Sequence, residues 1–323
     1  MFYIHPKTIL NLKECGIEIP LLDSRFIDLK EYIEKSVINE KLVVCHDDKI
    51  NIDSLEIVHT KHYIEQLKNE PEKCIKAAYE LVDKDGKYHR YNPGVATIPL
   101  KSILDKALYA CVTTYITLTQ ALEDGFAYHI GGGMHHAMSF AGRGFCLLND
   151  VAWAAQKLIN QNKVSHIWII DVDAHKGDGT AEIFRKNTQV TTMSIHMQSG
   201  WPLDSDDKNS PSLIPSDIDI PIAKPGTGYL NELERGLCHL VDKYPNPDLA
   251  IVLQGADPYE HDTLPSSSHL KLPLEELEER DQIIYHFLEG REIPQAYVMA
   301  GGYGPKSIEV YKSFIDFIIS EAN

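Results

Sequence analysis

The stretch "HIWIIDVDAHKGDGTAEIF", residues 166–184, decides the fold. An unbroken apolar run, HIWIIDV, gives way to three aspartates and a histidine between Asp171 and Asp178. A run this continuous reads as a strand buried on both faces, which is the habit of parallel sheets. Similar runs stand at FAYHI (126–130), VTTMSI (190–195), LAIVLQ (249–254) and AYVMA (296–300). Between them, helical periodicity predicts helices near 101–124, 149–161, 178–187, 227–243, 273–289 and 305–320. In the last, Ile308, Tyr311, Ile315 and Ile318 form one stripe. Strand–helix alternation predicts an α/β fold, with a largely parallel central sheet and helices on both faces. No repeat or linker divides residues 1–323, so a single domain is expected. Two polar segments, 82–97 and the Pro-, Ser- and Asp-rich 199–227, are expected as surface loops.

Composition limits the partners. The net charge is −16, which disfavours direct nucleic-acid binding and is compatible with a cationic substrate. The six cysteines are scattered, with no CxxC pair, which argues against a zinc knuckle or disulfide framework and fits a reducing compartment. No apolar run approaches the roughly 20 residues a membrane span needs. The first residues, MFYIHPKTILNLKECG, lack a Sec-type pattern. The expectation is a bacterial-type cytoplasmic protein with no membrane contact; a secreted effector acting in a host nucleus has the same sequence signature.

Every predicted strand delivers unusual residues just past its carboxyl end. FAYHI leads into Gly131-Gly132-Gly133-Met134-His135-His136, VTTMSI into His196, LAIVLQ into Gly255-Ala256-Asp257, and AYVMA into Gly301-Gly302-Tyr303-Gly304. Ligands of open α/β sheets bind at that edge. Asp173 and His175 alternate, so both project to one face of an extended segment. With Asp257 as third ligand they form the open-position donor set of a catalytic zinc site. Two adjacent histidines behind glycines suit general acid–base work, each needing an acceptor on its other nitrogen. Asp171 and Asp178 remain as those acceptors. Tyr303, between glycines, can stabilise a developing oxyanion.

"GGGMHHA…GRGFCLLND", "IIDVDAHKGDGT", "SIHM", "GAD" and "GGY" together resemble the zinc-dependent histone deacetylase and acetylpolyamine amidohydrolase superfamily. "VHTKHYIEQL" (58–67) and "FLEGREIPQAYVMAGGYG" (287–304) are similar to class IV-type histone deacetylases and their bacterial relatives. The resemblance implies the arginase-deacetylase fold and one Zn²⁺ held by Asp173, His175 and Asp257. It implies a catalytic dyad of His135 and His136, paired with Asp171 and Asp178, and a carbonyl-polarising Tyr303. Phe145 and Trp201 would wall an acyl-lysine tunnel, and the carbonyl of Gly144 would accept the substrate amide N–H. Structural K⁺ is implied at Asp171, Asp173, His175, Ser194 and Ile195, and a second K⁺ at Phe184, Asn187 and Val190. The expected reaction is hydrolysis of N-acetyl-lysine amides in proteins or histone tails, with acetylpolyamines or other small N-acyl amines as the alternative.

Three features depart from the family pattern. Lys176 stands where many members carry His or Gln, Pro258 follows Asp257, and "DTLPSSSHLKL" (262–272) replaces a more usual glycine-bearing segment. These are expected at or near the rim, where they bear on substrate range more than on chemistry. The stretch 68–97 is long for the class IV type, and either shapes a peptide groove or restricts access to small amines. Two other classes compete. A two-manganese ureohydrolase needs carboxylates where this chain has Gly177 and Tyr259, and a non-catalytic acyl-lysine binding module would have lost a dyad, ligand or tyrosine residue that this chain keeps.

Overall fold

The computed structural model describes residues 1–321. The strands are β1 (Phe2–Ile4), β2 (Leu42–Val44), β3 (Phe126–His129), β4 (Ile167–Asp171), β5 (Val190–Met197), β6 (Ile218–Ile222), β7 (Leu249–Leu253) and β8 (Gln295–Val298). They form one eight-stranded sheet in the order β2-β1-β3-β8-β7-β4-β5-β6. Every pairing is parallel. The five strands whose ends carry the motifs are consecutive neighbours, β3-β8-β7-β4-β5, so their loops converge on one part of the sheet edge.

The helices are α1 (Ser24–Glu34), α2 (Lys61–Asn69), α3 (Pro71–Ala78), α4 (Ser102–Asp124), α5 (Asp150–Asn160), α6 (Asp178–Phe184), α7 (Tyr229–Lys243), α8 (Leu274–Glu289) and α9 (Ser307–Glu321). Successive strand residues point to opposite faces, so the continuous apolar runs feed two cores at once. Ile167, Ile169 and Ile251 pack with Leu118, Val151 and Leu158 from α4 and α5. Trp168, Ile170 and Val252 pack with Leu233, Leu277 and Phe314 from α7, α8 and α9. The α/β class and the two-sided helical cover follow the sequence reading.

The segment 199–227 is not wholly a loop. It contains β6, whose Ile218, Ile220 and Ile222 are buried while Pro221 is exposed. Period-2 alternation builds this half-buried edge strand, and an edge is where a strand tolerates proline. Among the described residues, no helix is long and apolar enough to cross a membrane.

Candidate active site

The chain turns sharply after β4 because carboxylates capture the backbone. The Asp173 N–H donates to Asp171 Oδ1 at 3.1 Å, and the His175 N–H to Asp173 Oδ1 at 3.0 Å. Neighbouring loops lock on: Ala174 N–H meets Asp257 Oδ1 and Gly301 N–H meets Asp173 Oδ2, both at 2.9 Å. A Cβ on Gly301 would lie 2.2 Å from Asp173 Oδ2, so only glycine permits this approach.

These contacts gather Asp173, His175 and Asp257, all buried, with ligand atoms within 4.8 Å of one another. His175 Nδ1 lies 2.9 Å from Asp257 Oδ2 and 3.2 Å from Asp173 Oδ1. Its Nε2 is 3.1 Å from the Ser266 hydroxyl, which orients the ring. No hydrogen bond is aligned on the buried Asp257 Oδ2. Burial disfavours the His175 cation, but Asp173 and Asp257 outweigh it and raise the group to about 10. Burial, then the Asp173 charge, raises Asp257 to about 7. Two buried carboxylates thus demand a positive charge between them. An orphaned oxygen and an O, N, O donor set fit a metal cation.

Beside this cluster stand His135 and His136, their rings 3.9 Å apart. His135 Nδ1 is 2.6 Å from Asp171 Oδ2, and His136 Nδ1 is 2.7 Å from Asp178 Oδ1. Both carboxylates accept from Nδ1–H, leaving each Nε2 free for chemistry. Burial and then the neighbouring His135 charge push His136 down to about 3. Burial also opposes charge on His135, yet Asp171 and Asp173 prevail and lift it to about 9. The environments therefore drive the two imidazoles apart, one neutral and one charged.

The access side is built on a tight turn. Arg143 and Cys146 exchange backbone hydrogen bonds of 2.9 Å, and the residues between them, Gly144 and Phe145, have φ of 56° and 64°. Two successive positive φ values match a type I′ turn, a strained conformation for phenylalanine. The Phe145 N–H is tied at 3.0 Å to the carbonyl of Ala78, the last residue of α3. The Phe145 ring lies 6.1 Å from that of Tyr303. Trp201 packs 4.5 Å from His136 and 5.5 Å from His175. Burial, then the Asp257 and Asp173 charges, raises Tyr303 well above the usual phenol range, so its O–H remains a donor. Tyr303, Phe145, both histidines and Asp173 line a cavity of about 100 Å³ that continues inward to Arg25.

The other sequence-assigned residues divide between the two ends of β4 and β5, Asp171 and Ser194 at the carboxyl end and Val190 at the amino end. Asp171 and Ser194 are register partners across β4 and β5, with Ile195 next in line and all three buried. Phe184 ends α6, Val190 begins β5, and Asn187 between them donates its N–H to the Phe184 carbonyl at 2.8 Å. Lys176 is buried, with Nζ 2.8 Å from Asp219 Oδ2 on β6.

The segment 262–272, expected at or near the rim, exposes Thr263 and Pro265 but also reaches the site itself. Ser266 reaches His175 of the candidate metal cluster, and the Asp262 carboxylate accepts the Tyr303 N–H at 2.7 Å. This segment backs the site directly, because the β7 loop folds over the β8 loop. Lys176 likewise lies inside the protein, paired with an edge strand that the sequence pattern had hidden. Sequence reading also missed Arg280 of α8, wholly buried. It donates to the carbonyls of Val172 and Gly255 at 3.3 and 2.8 Å, next to the loops that carry Asp173 and Asp257. A buried arginine inside a charged helix gives no local signal; the partners are distant in sequence.

An all-parallel sheet whose central strand ends hold a cluster able to take a metal ion and a pair of adjacent histidines matches the arginase-deacetylase class of α/β proteins. Over 98% of both chains, the fold superposes on an acetylpolyamine aminohydrolase from Burkholderia pseudomallei, with TM-score 0.70 and 19% identity. The histone deacetylase domain matches residues 20–314, and the chain belongs to that family, a family of amide hydrolases. It is 25% identical over 291 residues to histone deacetylase 2 of Arabidopsis thaliana, covering 89% of this chain and 70% of that one. It is 28% identical over 260 residues to the acetoin utilization protein AcuC of Bacillus subtilis, covering 78% and 64%. An uncharacterised Picosynechococcus protein is 33% identical over 201 residues, covering 62% and 64%. The chain thus spans about 64% of the cyanobacterial and Bacillus relatives.

Proposed function

We propose that residues 1–323 form one catalytic domain, a zinc-dependent deacylase that hydrolyses N-acetyl-lysine amides in peptides or proteins, histone tails included. The observation that carries this reading is the buried Asp173–His175–Asp257 cluster beside two histidines, each with its own carboxylate. Zn²⁺ held by Asp173, Asp257 and His175 Nδ1 would supply Lewis acidity to a water and to the acyl oxygen. His136, kept neutral by burial, is the base that takes the water proton on Nε2. His135 holds a proton through Asp171 and delivers it to the departing amine. The Tyr303 hydroxyl donates to the oxyanion as charge develops there. Phe145 and Trp201 flank the substrate methylenes, and the Gly144 carbonyl receives the amide N–H. Structural K⁺ at Asp171, Asp173, His175, Ser194 and Ile195, and at Phe184, Asn187 and Val190, belongs to the same reading. So does a cytoplasmic protein that contacts neither nucleic acid nor membrane.

Acetylpolyamine is the second substrate reading; the net charge of −16 suits a cationic substrate of either kind, lysine-rich peptide or polyamine. A matched panel of acetyl-lysine peptides, longer acyl-lysine peptides and acetylated polyamines, with a hydroxamate control, separates the two. Hydroxamate-sensitive turnover of peptides supports the first reading; turnover of polyamines alone moves the assignment to the second. Zinc bound without any turnover would leave an acyl-lysine binding module. Asp257→Ala is expected to abolish stoichiometric zinc while preserving the fold, and full zinc content in that variant would refute the ligand set.

A further inference from the structure

Arg143 has no part in the chemistry above, yet it touches three things the site depends on. Its Nη1 lies 3.1 Å from Asp178 Oδ2, the carboxylate oxygen not used by His136. Asp178 is fully buried, and no hydrogen bond is aligned on that oxygen. The guanidinium also lies 5.1 Å from the Trp201 ring centroid. The same Nη1 donates to the Ser212 hydroxyl, in the 3₁₀ turn Pro211–Leu213 that follows Trp201 in the chain. Its backbone is held by the paired hydrogen bonds with Cys146 across the turn that presents Gly144 and Phe145. A planar guanidinium is suited to such simultaneous duty, stacking on an indole while its edge meets a carboxylate; an ammonium is not.

We propose that Arg143 is a positioning residue that couples the tunnel wall to the dyad. It presses Trp201 against His136 and closes the charge of Asp178, so one side chain fixes both the indole and the imidazole. The ring contact of 4.5 Å between Trp201 and His136 completes a closed circuit from Arg143 through Asp178, His136 and Trp201 back to Arg143. Opening the circuit at Arg143 frees the indole and strands Asp178 Oδ2. The consequence for turnover rests on the deacylase reading; the consequence for Trp201 does not.

That difference shapes the test. Trp153 and Trp168 are 0% and 1% exposed, so acrylamide quenching of the folded protein reports chiefly Trp201, with Trp201→Phe as the blank. In the zinc-loaded protein, Arg143→Ala is expected to raise quenching and lower kcat/KM on an acetyl-lysine peptide by about 10- to 100-fold, the range for outer partners of a site. Ethylguanidinium should restore part of both, and ethylammonium neither. Arg143→Lys, which keeps the charge without the plane, should fall between and guards against a variant that does not fold. Unchanged quenching in Arg143→Ala overturns the coupling, as does lost activity that ethylguanidinium does not rescue. Should the wild type turn over no substrate, the deacylase reading fails alone, and quenching still decides for or against Arg143.

Discussion

At the scale of single residues, Tyr303 and Gly144 occupy positions that geometry constrains closely. Tyr303 is held by its backbone to Asp262 and keeps its proton because burial and the Asp257 and Asp173 charges all oppose the phenolate. Removing only the hydroxyl, in Tyr303→Phe, should leave substrate affinity near wild type and lower kcat by roughly 10²- to 10³-fold, the usual worth of one oxyanion donor. Steady-state kinetics checks this, and unimpaired kcat would remove the assigned role. Gly144 is constrained twice. Its φ of 56° suits glycine, and a Cβ there would sit 2.4 Å from the Trp201 ring and 2.7 Å from His136. Gly144→Ala should therefore displace both rings, lowering kcat/KM at least about tenfold through the neighbours of the site. Strain at the turn costs about 1–3 kcal/mol in addition. Kinetics with a parallel thermal melt separates the two effects.

At the scale of elements, the sequence exposes strands that are buried on both sides and conceals the others. β3, β4, β5, β7 and β8 are continuous apolar runs because helices cover both faces. β1 and β2 are three residues each, too short for any period to register. β6 escapes because Asp219 and Pro221 interrupt it, as an edge permits. The candidate metal cluster and the histidine pair are legible because each of their residues follows a continuous apolar strand within a short motif of its own. Arg143, Asp262, Ser266 and Arg280 are illegible because each acts on a partner supplied by a different loop. Helix α8 shows what that costs to read and to lose. Burial opposes charge on Arg280, but Asp281, 2.8 Å away, holds it protonated while the guanidinium caps the loops carrying Asp173 and Asp257. Arg280→Met removes the cation paired with Asp281, leaving that carboxylate only the Gln254 amide at 2.5 Å, and strips two carbonyls of their donor; breaking such a buried pair costs about 3–5 kcal/mol. A lowered thermal midpoint is expected, partly recovered in Arg280→Met/Asp281→Leu. A midpoint equal to wild type in the single variant would contradict α8's role as the buttress of the strand ends.

For the molecule as a whole, histidines buried in the neutral form set the response to acid. His59 is the clearest, since it is not among the residues of the candidate metal cluster and its two nitrogens are fixed by geometry. Its Nε2 accepts the Asn149 N–H at 3.1 Å, so the proton sits on Nδ1, 3.0 Å from Met138 O. Burial outweighs the backbone acceptors and pushes the group down to about 4 from an ordinary 6.5. His129, pushed down to about 3 by burial and by His5, adds in the same sense. A folded-state value below the unfolded one means the unfolded chain binds more protons between the two. The contribution of His59 is thus complete above pH 6.5 and is lost as pH falls through about 4, amounting to about 3 kcal/mol. Other titrating groups are shared by the wild type and a His59→Gln variant, so the difference between their stabilities isolates this residue. Measured by urea denaturation at each pH, that difference should shift by about 3 kcal/mol toward the variant between pH 7 and pH 4. A difference that stays constant across this window would mean that His59 carries its proton as readily inside the fold as outside it, and that the hydrogen bond from Asn149 does not hold the ring neutral.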